Sequence, residues 1–209
     1  MSAIDHLASV LGAHSDVPNQ ELAKKLAAKA DGASIRELAE NLANKSAAIR
    51  SDCVKTLYEI GYLRPDLIAD HVDAFLDLLR SKDNRLVWGG MIALSTVADL
   101  KAKQIRKRLG DVLDAMQKGS VITVDNAVSV LAKVAGADKA CAKTVDPLLI
   151  EHLRTCRPKE VGQHAERSLP AITKANKEKY AQVLSARLDS LVASQKKRVE
   201  KVLRQIQSL

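Results

Sequence analysis

The chain has 209 residues, of which 46% are hydrophobic and only 2% aromatic, with nine Gly and five Pro. An all-β sandwich needs β-branched and aromatic strands with frequent Gly and Pro turns, so this composition excludes that class and predicts an all-α chain. The 33 Lys and Arg outnumber the 25 Asp and Glu, and nearly all of the surplus of +8 lies in residues 157–209, which carry a net +7.

The predicted helices follow the spacing of apolar residues along the chain. Residues 3–13 and 18–30 predict two helices that cap the open end of the following stack, which defines an N-terminal capping segment, 1–33. Residues 34–207 predict a single array of about five helical pairs. The first helices of these pairs are predicted at 34–44, 66–81, 102–117, 146–155 and 178–193. The second helices are predicted at 46–61, 84–99, 121–135, 158–174 and 196–207.

A period of about 37 residues organises the pairs. One apolar column in the second helices, at intervals of 37 or 38 residues, is Ile49, Val87, Val124, Val161 and Val199. A matching column in the first helices is Leu42, Leu79, Met116, Leu153 and Leu191. Two columns with one period predict that each pair buries an apolar stripe against its neighbour in the chain.

Glycine and proline positions mark the predicted helix ends. Gly61 and Gly136 follow the last apolar residue of their helices, where a left-handed residue is expected. Asp146 followed by Pro147 predicts a helix start, because the missing N–H of proline costs nothing in the first turn. Pro170 falls inside the second helix of the fourth pair and is expected to kink or shorten it.

The starts of two second helices carry a family resemblance. Ala47-Ala48-Ile49-Arg50 followed by Leu57, and Asp83-Asn84-Arg85-Leu86-Val87 followed by Ala93-Leu94, resemble the entry of the second helix in HEAT repeats. The chain is therefore similar to the HEAT and armadillo-like α-solenoids over roughly residues 34–207. This resemblance implies an α-α superhelix with an extended concave wall of the kind used to hold partners.

The second helices are expected to line that concave wall, with their exposed residues opposite the buried stripe. The predicted partner-binding residues are Lys55, Tyr58, Trp88, Asn126, Lys133, Gln163, Arg167, Lys201 and Arg204. Trp88 precedes Gly89-Gly90, and two interpretations are open: an exposed anchor whose small neighbours let a ligand approach, or a residue packed between repeats. For Tyr58 and Tyr62, packing at the edge of the stack is the favoured interpretation.

Motifs of catalysis are missing from the sequence. It contains no Gly-rich phosphate loop, no Gly-x-Ser-x-Gly elbow and no His-Glu-x-x-His pair, so no catalytic residue and no cofactor are predicted. A Cys/His zinc site needs four convergent ligands. Cys141, His152, Cys156 and His164 lack a short Cys-x-x-Cys knuckle, so no metal site is predicted either.

The predicted function is a non-enzymatic scaffold that binds a protein or peptide along its concave face. One alternative is nucleic-acid binding through the basic C-terminal part, by release of counterions from phosphate. A second is a HEAT-like glycosylase of alkylated DNA bases, which would use Trp88, Tyr58 and Asp125 in a basic cleft. A resemblance to HEAT-like bilin lyases is weaker, since no residue identifies a chromophore contact.

Three cysteines, widely spaced, argue against a disulfide framework and favour a reducing, cytoplasmic location. No apolar stretch approaches the roughly 18 residues that span a bilayer, so no membrane association is expected. The segment Met1–Leu11 lacks a basic start followed by an apolar run and does not resemble a signal peptide.

Overall fold

The computed structural model describes residues 2–209, and this part of the chain contains twelve α-helices and no β-strand, which confirms the all-α prediction. Met1, the first residue of the predicted capping segment 1–33, lies outside the described residues. The chain separates into two compact units, residues 1–127 and 128–209, with the boundary inside the eighth helix. The division into a capping segment and one array stays a prediction.

The helices are named here in chain order. The first unit holds α1 (Val17–Lys29), α2 (Gly32–Glu40), α3 (Ala47–Leu63), α4 (Val72–Leu78), α5 (Asn84–Val97), α6 (Ala102–Lys107) and α7 (Leu109–Lys118). Helix α8 (Val121–Ala137) crosses the boundary, and the second unit adds α9 (Lys139–Thr155), α10 (Pro158–Ser168), α11 (Lys177–Arg187) and α12 (Ala193–Gln207). Short 3-10 turns occupy Ile4–His6, Asn41–Ala43, Pro65–Leu67, Ala69–His71, Leu169–Ala171 and Leu188–Ser190.

In the first unit, neighbouring helices along the chain cover one another. Helix α3 contacts α1, α2 and α5, and α4 contacts α5 and α6. Leu57 and Ile60 of α3 and Met91 and Leu94 of α5 are fully buried, since spacings of three and four residues keep them on one side of each helix. Burial of this stripe supplies the main stabilisation of the stack.

The second unit repeats this arrangement. Helix α10 contacts α9, α11 and α12, while α11 contacts α9 and α12. Val161 and Val199 from the second-helix column are fully buried, as is Leu153 from the first-helix column. These members of the two columns lie where helices of the second unit meet, whereas Ile49, Val87, Val124 and Met116 are only half-buried, so the predicted burial of the columns is met in part.

Helix α9 begins earlier than the sequence indicates. The carboxylate of Asp138 accepts hydrogen bonds from the amides of Ala140 and Cys141 and so caps the helix start. Pro147 consequently lies inside α9, and the predicted start at 146 is wrong. The predicted helix over 3–13 is also wrong, because only the 3-10 turn Ile4–His6 forms there.

Close packing explains the two glycines that were predicted to end helices. Gly61 and Gly136 lie inside α3 and α8, and neither adopts a left-handed conformation, so that prediction is wrong. A Cβ on Gly61 would lie 2.3 Å from Oγ1 of Thr96, and one on Gly136 would lie 2.3 Å from the carbonyl oxygen of Pro170. The shortening at Pro170 is confirmed, since α10 ends at Ser168 and a 3-10 turn follows.

Ion pairs link consecutive helices in the first unit. Arg108 donates to Asp77 at 2.7 Å and to Asp111 at 2.8 Å, and Arg80 donates to Asp111 at 2.9 Å. Burial by itself raises the pKa of Asp111, but hydrogen bonds from Arg80 and Arg108 outweigh it and hold that pKa below its ordinary value. These contacts tie the loop after α4 to the start of α7.

Candidate functional site

Three aromatic side chains of the first unit form a group on the second helices, here called the aromatic cluster: Tyr58, Tyr62 and Trp88. The ring centroids of Tyr58 and Trp88 lie 6.3 Å apart at an interplanar angle of 56°. Tyr58 and Tyr62 make an edge-to-face pair with centroids 5.9 Å apart. Tyr58 is buried, Trp88 is half-buried and Tyr62 is 58% exposed, so the cluster presents part of its aromatic surface to solvent.

Gly89 and Gly90 serve helix packing next to Trp88. A Cβ on Gly89 would lie 2.9 Å from Cγ1 of Val54 in α3. One on Gly90 would lie 2.8 Å from Cβ of Leu78 and 3.0 Å from the carbonyl oxygen of Phe75. The glycines therefore bring α5 against α3 and α4, which favours the packing interpretation of this pair over close approach of a ligand.

Lys55 is held beside the aromatic cluster by several partners. Its ammonium lies 4.9 Å from the centroid of the Tyr58 ring and 2.7 Å from the carboxylate of Glu59. A second carboxylate, from Asp16, lies 3.9 Å away. Burial disfavours the charged lysine, but the interactions with Glu59 and Tyr58 together outweigh it and raise the pKa of Lys55. Burial also raises the pKa of Tyr58, against the influence of Lys55.

In the second unit, polar contacts join the outward sides of successive second helices. Arg167 of α10 donates to Oγ of Ser129 in α8 at 2.8 Å, across 38 residues of sequence. Arg198 of α12 donates to the carboxylate of Glu166 in α10 at 3.0 Å, and this hydrogen bond lowers the pKa of Glu166. Both contacts join a second helix to the next second helix along the chain, and the one between Arg167 and Ser129 spans one repeat period.

These contacts define a surface that we call the basic face: Lys133, Arg167, Lys201 and Arg204. Lys133 stands one turn after Ser129, so it lies on the side of α8 that contacts Arg167. Lys201 and Arg204 follow Arg198 at intervals of three, so they lie on the side of α12 that contacts Glu166. Lys201 and Arg204 are exposed, whereas Lys133 and Arg167 are half-exposed.

Charge is distributed unequally between the two units. Residues 1–127 hold seventeen Lys and Arg against seventeen Asp and Glu, whereas residues 128–209 hold sixteen against eight. The second unit therefore carries the whole net charge of +8. A surplus of this size produces a positive potential that attracts anionic partners.

Two of the predicted partner-binding residues are not exposed. Tyr58 is 6% exposed, because its ring lies between Trp88 and Lys55, and Asn126 is 9% exposed. The amide of Asn126 donates to the carbonyl of Ile122 at 2.8 Å, and its oxygen accepts from Ser95. Their predicted exposure is therefore wrong, whereas the packing interpretation favoured for Tyr58 agrees with its burial. Gln163 is half-exposed on α10.

Three of the four cysteines and histidines for which no metal site was predicted lie close together in the structure. His152, Cys156 and His164 converge in the second unit, with their ligand atoms all within 4.8 Å of one another. The spacing of four between His152 and Cys156 is visible in the sequence as one helical turn. The approach of His164 is a property of how α10 packs on α9, which the sequence alone does not give.

Several solved structures share this arrangement of helices. An engineered protein is 19% identical, with a TM-score of 0.68 over 100% of this chain and 98% of that one. A designed armadillo repeat protein in complex with the peptide (KR)4 is 14% identical, with a TM-score of 0.66 over 98% of both chains. Kap121p bound to Pho4p is 16% identical, with a TM-score of 0.64 over 96% of this chain and 22% of that one. The sequence matches no family model and no curated protein.

The protein has the fold of the armadillo and HEAT-like helical solenoids, as the sequence resemblance implies. At these identities the likeness defines the fold, and function must be argued from the side chains. No helix in residues 2–209 combines the length and the apolar character needed to cross a membrane.

Proposed function

We propose that the protein is a non-enzymatic helical-repeat scaffold whose basic face binds an extended acidic segment of a partner protein. The observation that carries this proposal is the charge of the second unit, where sixteen cations stand against eight carboxylates. Helices α8, α10 and α12 each carry a cation of the basic face, and Arg167 and Arg204 stand 37 residues apart, which suits a ligand that runs across these helices. Two proteins of this fold have a peptide or protein ligand, one in complex with the basic peptide (KR)4 and one bound to Pho4p. The acidic character proposed for the ligand of this chain rests on the charge of its own second unit.

The distribution of aromatic residues supports a peptide over nucleic acid. Tyr180 is the one aromatic residue of the second unit, and it is fully buried, so the basic face offers no ring on which a base could stack. A base-excising glycosylase would need aromatic residues and positive charge together. Trp88, Tyr58 and Asp125 belong instead to the neutral unit.

The aromatic cluster is a second candidate contact, for an apolar side chain of a partner. Trp88 is the only tryptophan of the chain, so its fluorescence reports directly on this cluster. If the cluster is an anchor, binding of a partner shifts the Trp88 emission, and Trp88→Ala weakens that binding. If Trp88→Ala leaves the affinity for a partner unchanged, the aromatic cluster is not part of that interface.

The decisive experiment measures fluorescence anisotropy of a short labelled peptide of alternating Asp and Glu, at low and physiological salt. We expect the wild-type protein to bind the acidic peptide, and we expect no binding of a control peptide of alternating Lys and Arg. The double variant Lys201→Glu/Arg204→Glu should weaken binding by roughly tenfold or more, because each exposed ion pair contributes up to about 1 kcal/mol and each reversal adds repulsion.

A matched control changes the same charge elsewhere on the second unit. Lys139 and Lys143 are exposed on α9, a first helix that contributes no residue to the basic face, so Lys139→Glu/Lys143→Glu should weaken binding far less. Equal losses in both double variants, or no binding of the acidic peptide at low salt, would contradict the proposal. Tighter binding of a short duplex DNA, with a steep salt dependence, would establish the nucleic-acid alternative instead.

A further inference from the structure

A group of three potential metal ligands lies between α9 and α10 in the second unit. Nε2 of His152 lies 2.9 Å from Nδ1 of His164, and the ring centroids are 4.8 Å apart. The thiol of Cys156 completes the group, with all ligand atoms within 4.8 Å of one another. Nitrogen and sulfur ligands of this kind are those that Zn²⁺ prefers.

Local contacts fix the backbone that carries these ligands. Cys156 directly follows α9 as its C-cap, and its amide donates to the carbonyl of His152 at 2.8 Å, which places both side chains one turn apart on the same side. The guanidinium of Arg187 donates to the carbonyls of Leu153 and Cys156, each at 2.8 Å. Helix α11 thus holds the end of α9 in place from the other side.

Burial is graded across the group. His164 is fully buried on α10, where Ser168 donates to its carbonyl at 2.7 Å. His152 and Cys156 are half-buried, so an ion can reach the group from solvent. This combination, a fixed inner ligand and two accessible outer ones, is what a metal site with an entry path requires.

We propose that His152, Cys156 and His164 bind one Zn²⁺ ion with a fourth position open to water. Tetrahedral coordination at ordinary Zn–N and Zn–S lengths places ligand atoms about 3.3–3.7 Å apart. The present separations, from 2.9 Å to at most 4.8 Å, bracket that range, so small side-chain rotations complete the site. Three protein ligands with one open position are typical of exchangeable or reactive zinc rather than closed structural sites.

Charged groups around the thiol are compatible with this site. The guanidinium of Arg187 and the carboxylate of Glu160 both interact with Cys156, so their opposite charges partly balance near the ion.

The test uses the full-length protein and Co²⁺ as a spectroscopic substitute for Zn²⁺. We expect one Co²⁺ per chain, a thiolate-to-cobalt charge-transfer band and tetrahedral d–d bands, all abolished by one equivalent of Zn²⁺. Cys156→Ser should remove the charge-transfer band, and both Cys156→Ser and His152→Ala should weaken zinc binding at least tenfold in competition with a chromophoric chelator.

Controls separate this site from adventitious binding and from misfolding. Cys141→Ser changes the other cysteine of the second unit, and His71→Ala changes a histidine of the first unit; both should retain the wild-type spectrum and affinity. Circular dichroism must show that every variant keeps its helical signal. No binding of Co²⁺ or Zn²⁺ at micromolar concentration, or binding that survives both ligand substitutions, would overturn the proposal and leave His152 and His164 as a hydrogen-bonded pair.

Discussion

The substitution Gly61→Ala tests how closely α3 and α5 are packed. The new Cβ would lie 2.3 Å from Oγ1 of Thr96, 2.8 Å from Cδ1 of Ile68 and 3.0 Å from Cβ of Thr96, whereas ordinary contacts begin at 3.4 Å. Rotation of Thr96 cannot clear the clash, because its Cβ is fixed to the backbone of α5. Such a rotation would also break the 2.7 Å hydrogen bond from Thr96 to the carbonyl of Ala93.

Two opposing effects decide the sign of this change. Alanine is favoured over glycine inside a helix by about 1 kcal/mol. Overpacking costs about 1–3 kcal/mol, and loss of the Thr96 hydrogen bond costs about 1 kcal/mol more. The net expectation is a destabilisation of about 1–3 kcal/mol, measured as a lower urea midpoint by circular dichroism.

Gly110 provides the matched control for Gly61. Gly110 lies in α7. Apart from its chain neighbours and the backbone of its own helix, a Cβ at this position would have no heavy atom within 4 Å. Gly110→Ala therefore meets no clash and should leave the urea midpoint unchanged or raise it. A Gly61→Ala variant as stable as the wild type would refute the close approach of α3 and α5 on which this reasoning depends.

Three further predictions concern the ends of helices, ion pairs and thiols. Arg187→Met should lower the unfolding free energy by about 1–3 kcal/mol in urea denaturation, because it leaves the terminal carbonyls of α9 without their donor. The depressed pKa of Asp111 stabilises the fold above the ordinary carboxyl value of 3.8, and this stabilisation is lost as pH falls through the folded value. Asp111→Asn should therefore flatten the acid side of a stability–pH profile, measured by urea denaturation at a series of pH values. Burial raises the pKa of Cys53 to about 12, so this thiol is protonated and inaccessible in the folded protein at pH 8. A thiol reagent should therefore modify the half-buried Cys156 first and Cys53 only after unfolding, which mass spectrometry can measure.

The architecture could be predicted because burial repeats with a fixed period. The second helices predicted at 46–61 and 84–99 are observed as α3 (Ala47–Leu63) and α5 (Asn84–Val97). Their apolar stripes are set by helical geometry alone, and each stripe needs only its neighbour in the chain to cover it. A local rule of this kind can be applied without knowing the tertiary structure.

Other features depend on contacts that no local rule contains. Asp146-Pro147 has the pattern of a helix start, yet burial of Cys141, Val145 and Leu149 extends α9 through it. In the same way, periodicity gives the face on which Asn126 lies but not the distance to the next helix, which buries it. Sequence therefore predicts which side of a helix is apolar and leaves open how much of the other side is exposed.

The segregation of charge follows from the same local logic and argues for a function. In a stack of helical pairs, stability depends on the buried stripes, so outward residues can vary with little effect on the fold. In the first unit, positive and negative side chains are equal in number and several form ion pairs, among them Arg80, Arg108, Asp77 and Asp111. The second unit cannot be balanced internally: even if every carboxylate paired with a cation, its net charge would stay at +8. Such a surplus acts over roughly a Debye length, about 8–10 Å, and predicts association with anions that weakens as salt is added.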